Sequence, residues 1–394
     1  MYQNALEGVR VADFSWVVAG PFCTKLIGLM GAEVIKVESA ARPQYKTRGS
    51  WFSVLNNSKK SCTINLSTDQ GKALAKQLIA VSDVVVENFS TGVMDRLGLG
   101  YEALRSIKPD IIYISSSGVG RTGPGKNYLA YGTLLQGLSG WTSLFSEPNP
   151  RMEGMGIVPS WTDPLTGLWE ALLIQAALLH RSRTGEGFYV DLSMLESTIT
   201  IMGDVFLGVA ATGKPPVAGR SSSHSHAVPH GIYPCAGTDS WIAISVERQS
   251  EWESFCRVLG DPSWCHEADM LTLAGRQQSR AQIDRLVADW TSGQQAQELF
   301  HRLQAAGVPA GPCNSFREVV EDPQMQLRGL YRTLPGRDGG EQRTTGIPWK
   351  DDTEWKGNLT PAPALGEHNE YVFLELLGMS RQAYEDFRQS GIIE

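Results

Sequence analysis

The chain has 394 residues, and at about 150 residues per domain this length predicts two or three domains rather than one. Apolar residues make up 42% and charged residues 20%, the balance of an ordinary globular protein, which excludes wholesale disorder. The net charge of −7, from 35 Lys plus Arg against 42 Asp plus Glu, argues against a nucleic-acid-binding protein, because such proteins carry a basic face.

Cysteine usage and the amino-terminal sequence both favour a cytoplasmic protein, and the size of the chain favours an enzyme. The six cysteines are scattered and form no Cys-x-x-Cys pair, which disfavours a zinc ribbon, a redox dithiol or a disulfide scaffold. The opening MYQNALEGVRVADF has no basic stretch followed by an apolar one, so no signal peptide is expected. No apolar run approaches the roughly 20 residues that a membrane span needs, so we expect no membrane association.

The first half of the chain alternates strand-like and helix-like segments. Residues 9–15 are predicted to be a buried strand, residues 21–30 a helix and Glu33–Glu38 a second strand, which together make a βαβ unit and hence a parallel sheet. The alternation continues in further segments, at 62–66, 69–80, 83–87, 101–107 and 110–115. Several such units in series predict an α/β fold with a doubly wound parallel sheet.

The clearest predicted helix runs from Asp163 to about Arg181. Asp163 is expected at its N-cap, Pro164 at the first helical position and Gly185 just after its end. Apolar residues recur at three- and four-residue steps, which predicts one apolar stripe that packs behind Asp163. The stripe consists of Leu165, Leu168, Trp169, Leu172, Leu173, Ala176 and Leu179.

The composition changes after the large domain, which we place at residues 1–212. Residues 213–230 are rich in Pro, Ser, Gly and His and are predicted to form a linker or an active-site loop. Residues 231–321 are predicted to form a smaller α+β domain, and residues 322–363 a returning linker with short strands. Residues 364–394 are predicted to be helices that complete the large domain.

A glycine-rich segment, GVGRTG at residues 118–123, matches the G-x-G-x-x-G pattern of dinucleotide-binding sites. In such a site the third glycine lies inside a helix, whereas here Pro124 and Gly125 follow at once and break any helix. We therefore interpret the segment as a glycine-rich loop. An NAD-dependent oxidoreductase stays a remote alternative that nicotinamide fluorescence would reveal.

Asp163 has both a structural and a chemical interpretation. Asp before Pro is a good helix cap, and a carboxylate held ionised at a helix N-terminus is also able to act as a nucleophile. His224, His226 and His230 cluster in the linker, but no Cys or carboxylate supports them, so no metal site is predicted.

Several ordered motifs together carry a resemblance that spans nearly the whole chain. They are GVRVADF at 8–14 with AGP at 19–21, GAEVIKVE at 31–38, ENFSTG at 87–92, RLG at 96–98, TDPLTG at 162–167, RTGEG at 183–187 and ALGEH at 364–368. In this order the motifs resemble those of the family III CoA-transferases, the group that includes the formyl-CoA and crotonobetainyl-CoA transferases.

The resemblance implies site residues one by one. Asp163 falls on the family's catalytic aspartate. The CoA contacts fall on the backbone of Val18 and Ala19, on Asn88, Phe89 and Arg96 for pantetheine and phosphate, and on Ala130 and Tyr131. The sequence departs from the formyl-CoA transferases at Ser39, where those enzymes have arginine, and at residues 221–229, where SSSHSHAVP replaces their glycine run.

The resemblance also implies an activity and an assembly. The activity is the transfer of CoA from an acyl-CoA donor to a free carboxylic acid through a covalent aspartyl intermediate, with CoA as a substrate and no tightly bound cofactor or metal. The assembly is an interlocked homodimer, in which two ring-like chains thread through each other.

Two alternatives within the same fold stay open at this point. An α-methylacyl-CoA racemase pairs its aspartate with a histidine, but the corresponding residue here is Tyr131, whose unperturbed pKa near 10 makes it a poor base at neutral pH. A non-catalytic subunit of a heteromeric transferase is the other alternative, and the intact Asp163 weighs against it.

Overall fold

We describe the protein from a computed structural model, which covers residues 4–40, 49–145, 160–214, 226–336, 339–349 and 359–394. The described residues fall into two compact units. The first lies within residues 1–144, 152–216 and 328–394, and the second within residues 145–151 and 217–327.

A six-stranded parallel sheet forms the centre of the first unit. Its strands are β1 (Arg10–Asp13), β2 (Glu33–Glu38), β3 (Lys59–Thr63), β4 (Val84–Glu87), β5 (Ile112–Ser117) and β6 (Phe188–Ser193). They lie in the order β3-β2-β1-β4-β5-β6, and every neighbouring pair is parallel. This arrangement confirms the predicted α/β fold with a parallel sheet.

The helices of the first unit connect its strands and cover its sheet, and the second unit has helices of its own. In chain order they are α1 (Ala19–Leu29), α2 (Ser50–Leu55), α3 (Asp69–Ala80), α4 (Val93–Arg96), α5 (Tyr101–Arg105), α6 (Gly132–Leu138), α7 (Trp141–Phe145), α8 (Thr162–Thr184), α9 (Met194–Thr200), α10 (Gly203–Thr212), α11 (Gln249–Val258), α12 (Leu273–Gln278), α13 (Arg280–Thr291), α14 (Ala296–Ala305), α15 (Phe316–Glu321), α16 (Pro323–Arg328) and α17 (Arg381–Gln389). Short 3-10 turns occur at Ser263–His266 and Ala268–Leu271, and a π-helical segment occurs at Tyr371–Leu376.

The central strands are buried on both faces, as parallel strands between helical layers should be. Val84 and Val86 of β4 join an apolar cluster with residues of α1 and α8, whereas Val85 between them joins a cluster with residues of α3, the π-helical segment and α17. This alternation places α1 and α8 on one face of the sheet and the carboxyl-terminal helices on the other.

The second unit has a core of its own. Strands β7 (His230–Pro234), β8 (Trp241–Ser245) and β9 (Ala310–Pro312) form an antiparallel sheet in that order. Its main apolar cluster combines β8 with α11, α13 and α14, through side chains that include Ile242, Trp252, Phe255, Val287 and Leu299. In the first unit, β10 (Tyr331–Pro335) and β11 (Glu341–Thr345) form a separate antiparallel hairpin.

The prediction for the apolar stripe of α8 is wrong in its direction. Leu168, Leu172 and Leu179 are more than half exposed, at 52%, 54% and 51%, and so do not pack behind Asp163 within this chain. The buried face of α8 carries mostly small residues, among them Gly167 and Ala171. Small residues are needed there because α1 lies very close: a Cβ on Gly167 would lie 2.6 Å from the Ala19 carbonyl oxygen.

In the part of the chain that the structure describes, no single helix is long and apolar enough to cross a membrane. The bent helix pair Met194–Thr200 and Gly203–Thr212 meets the same test by length and composition alone.

Candidate active site

The strand order reverses between β1 and β4, and such a reversal opens a crevice outside the carboxyl ends of the strands. The chain leaves β1 at Asp13 and β4 at Glu87, so the segment 14–18 faces Asn88 and Phe89 across this crevice. The Asn88 side chain accepts a hydrogen bond from the Trp16 backbone N–H and donates one to the Trp16 carbonyl, both at 2.7 Å. The Phe89 ring lies 5.7 Å from the Trp16 ring.

A buried ion cluster holds the base of the segment 14–18 in place. The fully buried Asp13 carboxylate accepts hydrogen bonds from the Ser15 N–H at 2.8 Å, Thr24 Oγ1 at 2.7 Å and Lys59 Nζ at 3.1 Å. Burial alone would raise the pKa of Asp13, but the Lys36 and Lys59 ammonium groups and the two hydroxyls hold it well below its usual range. The cluster is therefore charged and fixes the start of α1.

The backbone of the segment is strained just before the predicted CoA contacts. Val17 has a φ of 62°, a left-handed conformation that a β-branched residue rarely adopts, and its side chain is 60% exposed. Val18 follows as the N-cap of α1, and Ala19 is the first residue of that helix. Strain of this kind collects at functional sites, where the surrounding structure enforces it.

The structure corrects the predicted position of Asp163. The helix α8 begins at Thr162, so Asp163 is its second residue rather than its N-cap, and Pro164 is its third. The N-cap is Trp161, which caps with no side-chain hydrogen bond. The Asp163 carboxylate instead accepts a hydrogen bond from the Ser160 hydroxyl, with 2.8 Å between Oγ and Oδ2.

Asp163 lies in a partly desolvated position. Burial raises the pKa of its carboxyl group, and the hydrogen bonds from Ser160 and from its own backbone N–H oppose that rise. Its place in the first turn of α8 also favours the ionised form, since the backbone N–H groups there form the positive end of the helix dipole.

Helix α6 closes one side of this carboxylate. A Cβ on Gly132, the first residue of α6, would lie 1.7 Å from Asp163 Oδ2 and 2.0 Å from Ser160 Oγ. Only glycine leaves room for both groups. Four residues later, the fully buried Gln136 accepts a hydrogen bond from the Trp161 backbone N–H, which ties the start of α8 to α6.

Ala130 and Tyr131 precede α6 and so lie beside Asp163. Ala130 joins Ala19 of α1 in one apolar cluster, together with Leu135 and Met194. Tyr131 is 69% exposed. The structure thus brings the predicted residues of α1, α6 and α8 to one place.

Hydrogen bonds and an ion pair of Arg121 hold the glycine-rich loop 118–125 in place. The Arg121 guanidinium forms an ion pair with Glu87 at 2.5 Å and also donates to Ser115 Oγ and to the Phe89 carbonyl, while its backbone N–H donates to Asp191. No helix follows until Gly132, as the Pro-Gly pair predicts. The loop is therefore anchored beside the segment 87–89.

Arg96, the remaining predicted CoA contact, lies on α4 with an exposed side chain. Within the described residues its guanidinium has no carboxylate partner at ion-pair distance, so its charge is available. In the same part of the chain, no group of three or more His, Cys, Asp or Glu side chains is arranged to hold a metal ion. His224 and residues 221–225 lie outside the described residues.

The sequence interpretation missed three residues of this site: Ser160, Gly132 and Gln136. Ser160 had a readable signal, because Ser-x-x-Asp at 160–163 has the spacing of a side-chain contact at a helix start. Gly132 and Gln136 had none, since the approach of α6 to α8 is a tertiary contact.

Comparison with known families gives a match over most of the chain. The sequence model described as CoA-transferase family III matches residues 6–369. This span includes every residue of the candidate site.

Individual proteins are similar over nearly their full length. The chain is 30% identical to the succinate–glutarate CoA-transferase of Agrobacterium fabrum, covering 96% of this chain and 97% of the relative. It is 32% identical to the succinyl-CoA–D-citramalate CoA-transferase of Chloroflexus aurantiacus, covering 95% and 94%. Among solved structures, a CAIB/BAIF family protein from Brucella suis superposes with a TM-score of 0.85 at 29% identity, covering 95% of this chain and all of the other.

Proposed function

This chain belongs to CoA-transferase family III and is an enzyme of the transferase class, and from that premise we propose that it transfers CoA to a free carboxylic acid through a covalent intermediate on Asp163. The observation that carries the proposal is the Asp163 carboxylate itself. It lies at the start of α8, hydrogen-bonded to Ser160 and enclosed by α6, beside the crevice at which α/β sheets bind their ligands.

The chemistry needs only an ionised carboxylate and a bound thioester. Asp163 attacks the carbonyl carbon of the donor acyl-CoA, the carbon–sulfur bond breaks, and a mixed anhydride and CoA thiolate result. The thiolate then attacks the Asp163 carboxyl carbon and releases the donor acid, which leaves an aspartyl-CoA thioester. The acceptor carboxylate attacks this thioester, and the same two steps run in reverse to give the new acyl-CoA.

The proposal predicts a pH dependence with a definite sign. Only the ionised carboxylate is a nucleophile, and burial raises the pKa of Asp163. The rate should therefore fall as the pH drops through this raised pKa, with an acid limb above the usual range of an aspartate.

Coenzyme A is proposed to lie along the crevice. The backbone of Val18 and Ala19, which follows the strained Val17, would contact the pantetheine arm, with Phe89, Ala130 and Tyr131 around it, and Arg96 would pair with a phosphate. Both polar groups of the Asn88 side chain already bond to Trp16. Asn88 is therefore proposed to act by holding the segment 14–18 in shape.

An interlocked homodimer in the cytoplasm is proposed as the working form. Helix α10 has no buried residue in this chain, and Phe206 and Leu207 are 46% and 72% exposed. Exposed leucines also lie on α8, and a second copy would cover the apolar residues of both helices. All six cysteines are free thiols, which suits a reducing compartment.

We propose the domain division that the sequence predicts. Residues 1–212 and 364–394 form the large domain, residues 231–321 the small domain, and residues 213–230 and 322–363 the connections. The loop 118–125 or the loop 221–230 is proposed to keep water from the activated intermediates, and residues 221–225 lie outside the described residues.

The experiment that tests the function is a transfer assay on the purified protein alone. Succinyl-CoA and acetyl-CoA serve as donors against a panel of mono- and dicarboxylic acids, and new CoA esters are identified by mass. Succinyl-CoA comes first because the names of two relatives contain succinyl-CoA or succinate. We expect at least one acid to give a new ester, and none with Asp163→Asn.

Two results would contradict the proposal. One is transfer by Asp163→Asn at a rate close to wild type. The other is an absence of any transfer by the wild-type protein until a second, different chain is added, which would make this chain a non-catalytic subunit.

A further inference from the structure

The two oxygens of the Asp163 carboxylate have different surroundings. Oδ2 accepts the Ser160 hydroxyl at 2.8 Å and lies in the space that the missing Cβ of Gly132 leaves free. Within the described residues, no side chain donates a hydrogen bond to Oδ1. The attack on the substrate is therefore assigned to Oδ1, and Oδ2 is the oxygen that keeps the Ser160 hydrogen bond.

We propose that the Ser160 hydroxyl is a catalytic group that stabilises the negative charge which develops on Asp163 Oδ2 during CoA transfer. The inference rests on the proposed function and assigns a second residue to the same site.

The reaction steps explain why the charge falls on that oxygen. Oδ1 attacks the donor carbonyl carbon and becomes the bridging oxygen of the anhydride, so Oδ2 becomes the carbonyl oxygen of Asp163. When CoA thiolate adds to the Asp163 carboxyl carbon, the carbonyl electron pair moves onto Oδ2. Collapse of this tetrahedral species expels the donor carboxylate, which carries the former Oδ1 away.

The next step again places negative charge on Oδ2. The acceptor carboxylate adds to the carbon of the aspartyl thioester, the electron pair again moves onto Oδ2, and collapse expels CoA thiolate. In both steps the O–H of Ser160 already points at the oxygen that becomes an oxyanion. A donor placed in advance, whose bond strengthens in the transition state, lowers the barrier.

The placement of Ser160 is not what helix capping requires. The N-cap of α8 is Trp161, and no side chain caps the helix. The Ser160 hydroxyl, one residue earlier, bonds to the carboxylate instead. Its position is fixed on two sides, by the bond from the Trp161 backbone N–H to the buried Gln136 and by the close approach of Gly132.

The test compares Ser160→Ala and Ser160→Thr with wild type, with Ser182→Ala as the matched control. Ser182 lies on the same helix and donates its hydroxyl to the Leu179 carbonyl, far from Asp163. We expect Ser160→Ala to lower kcat by about 100- to 1,000-fold, as for loss of one oxyanion donor, while its Kd for CoA is unchanged. Ser160→Thr keeps the hydroxyl and should retain most activity, and Ser182→Ala should match wild type.

A pH profile separates this role from a structural one. The Ser160 hydrogen bond lowers the pKa of Asp163, so its removal should shift the acid limb of kcat/KM to higher pH in Ser160→Ala but not in Ser182→Ala. If Ser160→Ala does not fold, Ser160→Cys replaces it, because a thiol of similar shape is only a weak donor, and the same two changes are expected.

Different results would contradict the role of Ser160 and the proposed CoA transfer. A Ser160→Ala enzyme with kcat within twofold of wild type and an unshifted acid limb would overturn the role of Ser160, while wild-type transfer and its dependence on Asp163 stand. No transfer by wild type with any acid would overturn the proposed function itself.

Discussion

A single missing methyl group shapes the environment of Asp163. A Cβ on Gly132 would overlap both Asp163 Oδ2 and Ser160 Oγ, at 1.7 and 2.0 Å. Helix α6 and helix α8 therefore meet at a spacing that no other residue type permits. The glycine is required by this contact, since its position in a helix would otherwise favour alanine.

We predict that Gly132→Ala lowers kcat by at least 100-fold, because its methyl group must displace the carboxylate or the hydroxyl that holds it. Gly137→Ala is the control in the same helix, since a Cβ there meets only an ordinary contact, 3.8 Å from Thr142 Oγ1. Steady-state kinetics and thermal melting of both variants make the comparison. Equal activity in the two variants would show that the close contact does not constrain Asp163.

Two turns after Asp163, helix α8 carries a second acidic residue that is fully buried. Glu170 lies close to the Ser116 hydroxyl and the Cys23 thiol, and burial raises its pKa to about 8, against an ordinary value of 4.5. It is therefore protonated at neutral pH in the folded protein. In the unfolded chain it ionises at its ordinary pKa.

This difference predicts how stability changes with pH. Between pH 4.5 and 8 the unfolded chain has released a proton that the folded protein keeps, so the free energy of unfolding falls as the pH rises through this window. The loss amounts to roughly 3 kcal/mol at pH 7. Glutamine has nearly the shape of the protonated glutamate side chain but cannot ionise. Glu170→Gln should therefore be more stable than wild type at pH 7.5 but not at pH 4.5.

The measurement is Tm against pH for wild type, Glu170→Gln and Glu102→Gln. Glu102 is exposed on α5, so its variant should follow the wild-type curve. If Glu170→Gln also follows the wild-type curve, Glu170 is ionised in the folded protein.

Short elements follow the carboxyl ends of the strands, and they are the proposed CoA-binding side of the site. Helix α4 has only four residues, and it carries an exposed arginine beside the turn that follows β4. The proposed role of Arg96 is separable from that of Asp163, because Arg96 would contact a phosphate of CoA, far from the thioester.

We predict that Arg96→Ala raises the KM for acyl-CoA about 10- to 100-fold and changes kcat little, since a lost charge-assisted hydrogen bond weakens ground-state binding. Arg105→Ala, on the neighbouring helix α5, should leave KM unchanged. With a pantetheine thioester, which lacks the nucleotide phosphates, Arg96→Ala and wild type should have the same KM. A lower kcat with unchanged KM for acyl-CoA would contradict a phosphate contact.

The sequence predicted some elements well and others poorly, for a physical reason. The strand-like segment Glu33–Glu38 was predicted with the bounds that the structure has, because its apolar residues are all β-branched and favour a strand. Helix α8 was predicted in the right place but with the wrong face inward. Its leucine stripe and its small-residue face have the same period, and only the closeness of α1 decides which face is buried.

The same limit applies to the site. The sequence alone proposes Asp163, Asn88, Phe89 and Arg96, because each lies within a motif that resembles one of the family. Gly132 and Gln136 act through the contact of α6 with the start of α8, which joins positions far apart in the sequence. A contact between distant segments leaves no local pattern in a single sequence.

Helices α8 and α10 carry exposed apolar residues, among them Leu172 and Leu207, which are 54% and 72% exposed. Exposed apolar surface often marks an interaction site, and we propose that a second copy of the chain covers it here. The proposed interlocked homodimer would bury it and would make folding and association inseparable.

We predict a mass near twice 43.1 kDa by light scattering, with no folded monomer on dilution. Leu207→Lys should lower Tm and dissociate the dimer, because it places a charge in the apolar surface. Gln77→Lys, which adds the same charge at an exposed position of α3, should do neither. A stable, active monomer of the wild-type chain would contradict the proposed assembly.

The covalent mechanism is tested most directly by trapping the intermediate on Asp163. Wild-type protein is incubated with succinyl-CoA and then treated with hydroxylamine, which converts an activated carboxyl group to a hydroxamate, or with borohydride, which reduces the thioester to an alcohol. The modified peptide is identified by mass. We expect the modification on Asp163 in the wild type and none in Asp163→Asn; an unmodified Asp163 in an enzyme that turns over, together with full activity in Asp163→Asn, would contradict the mechanism.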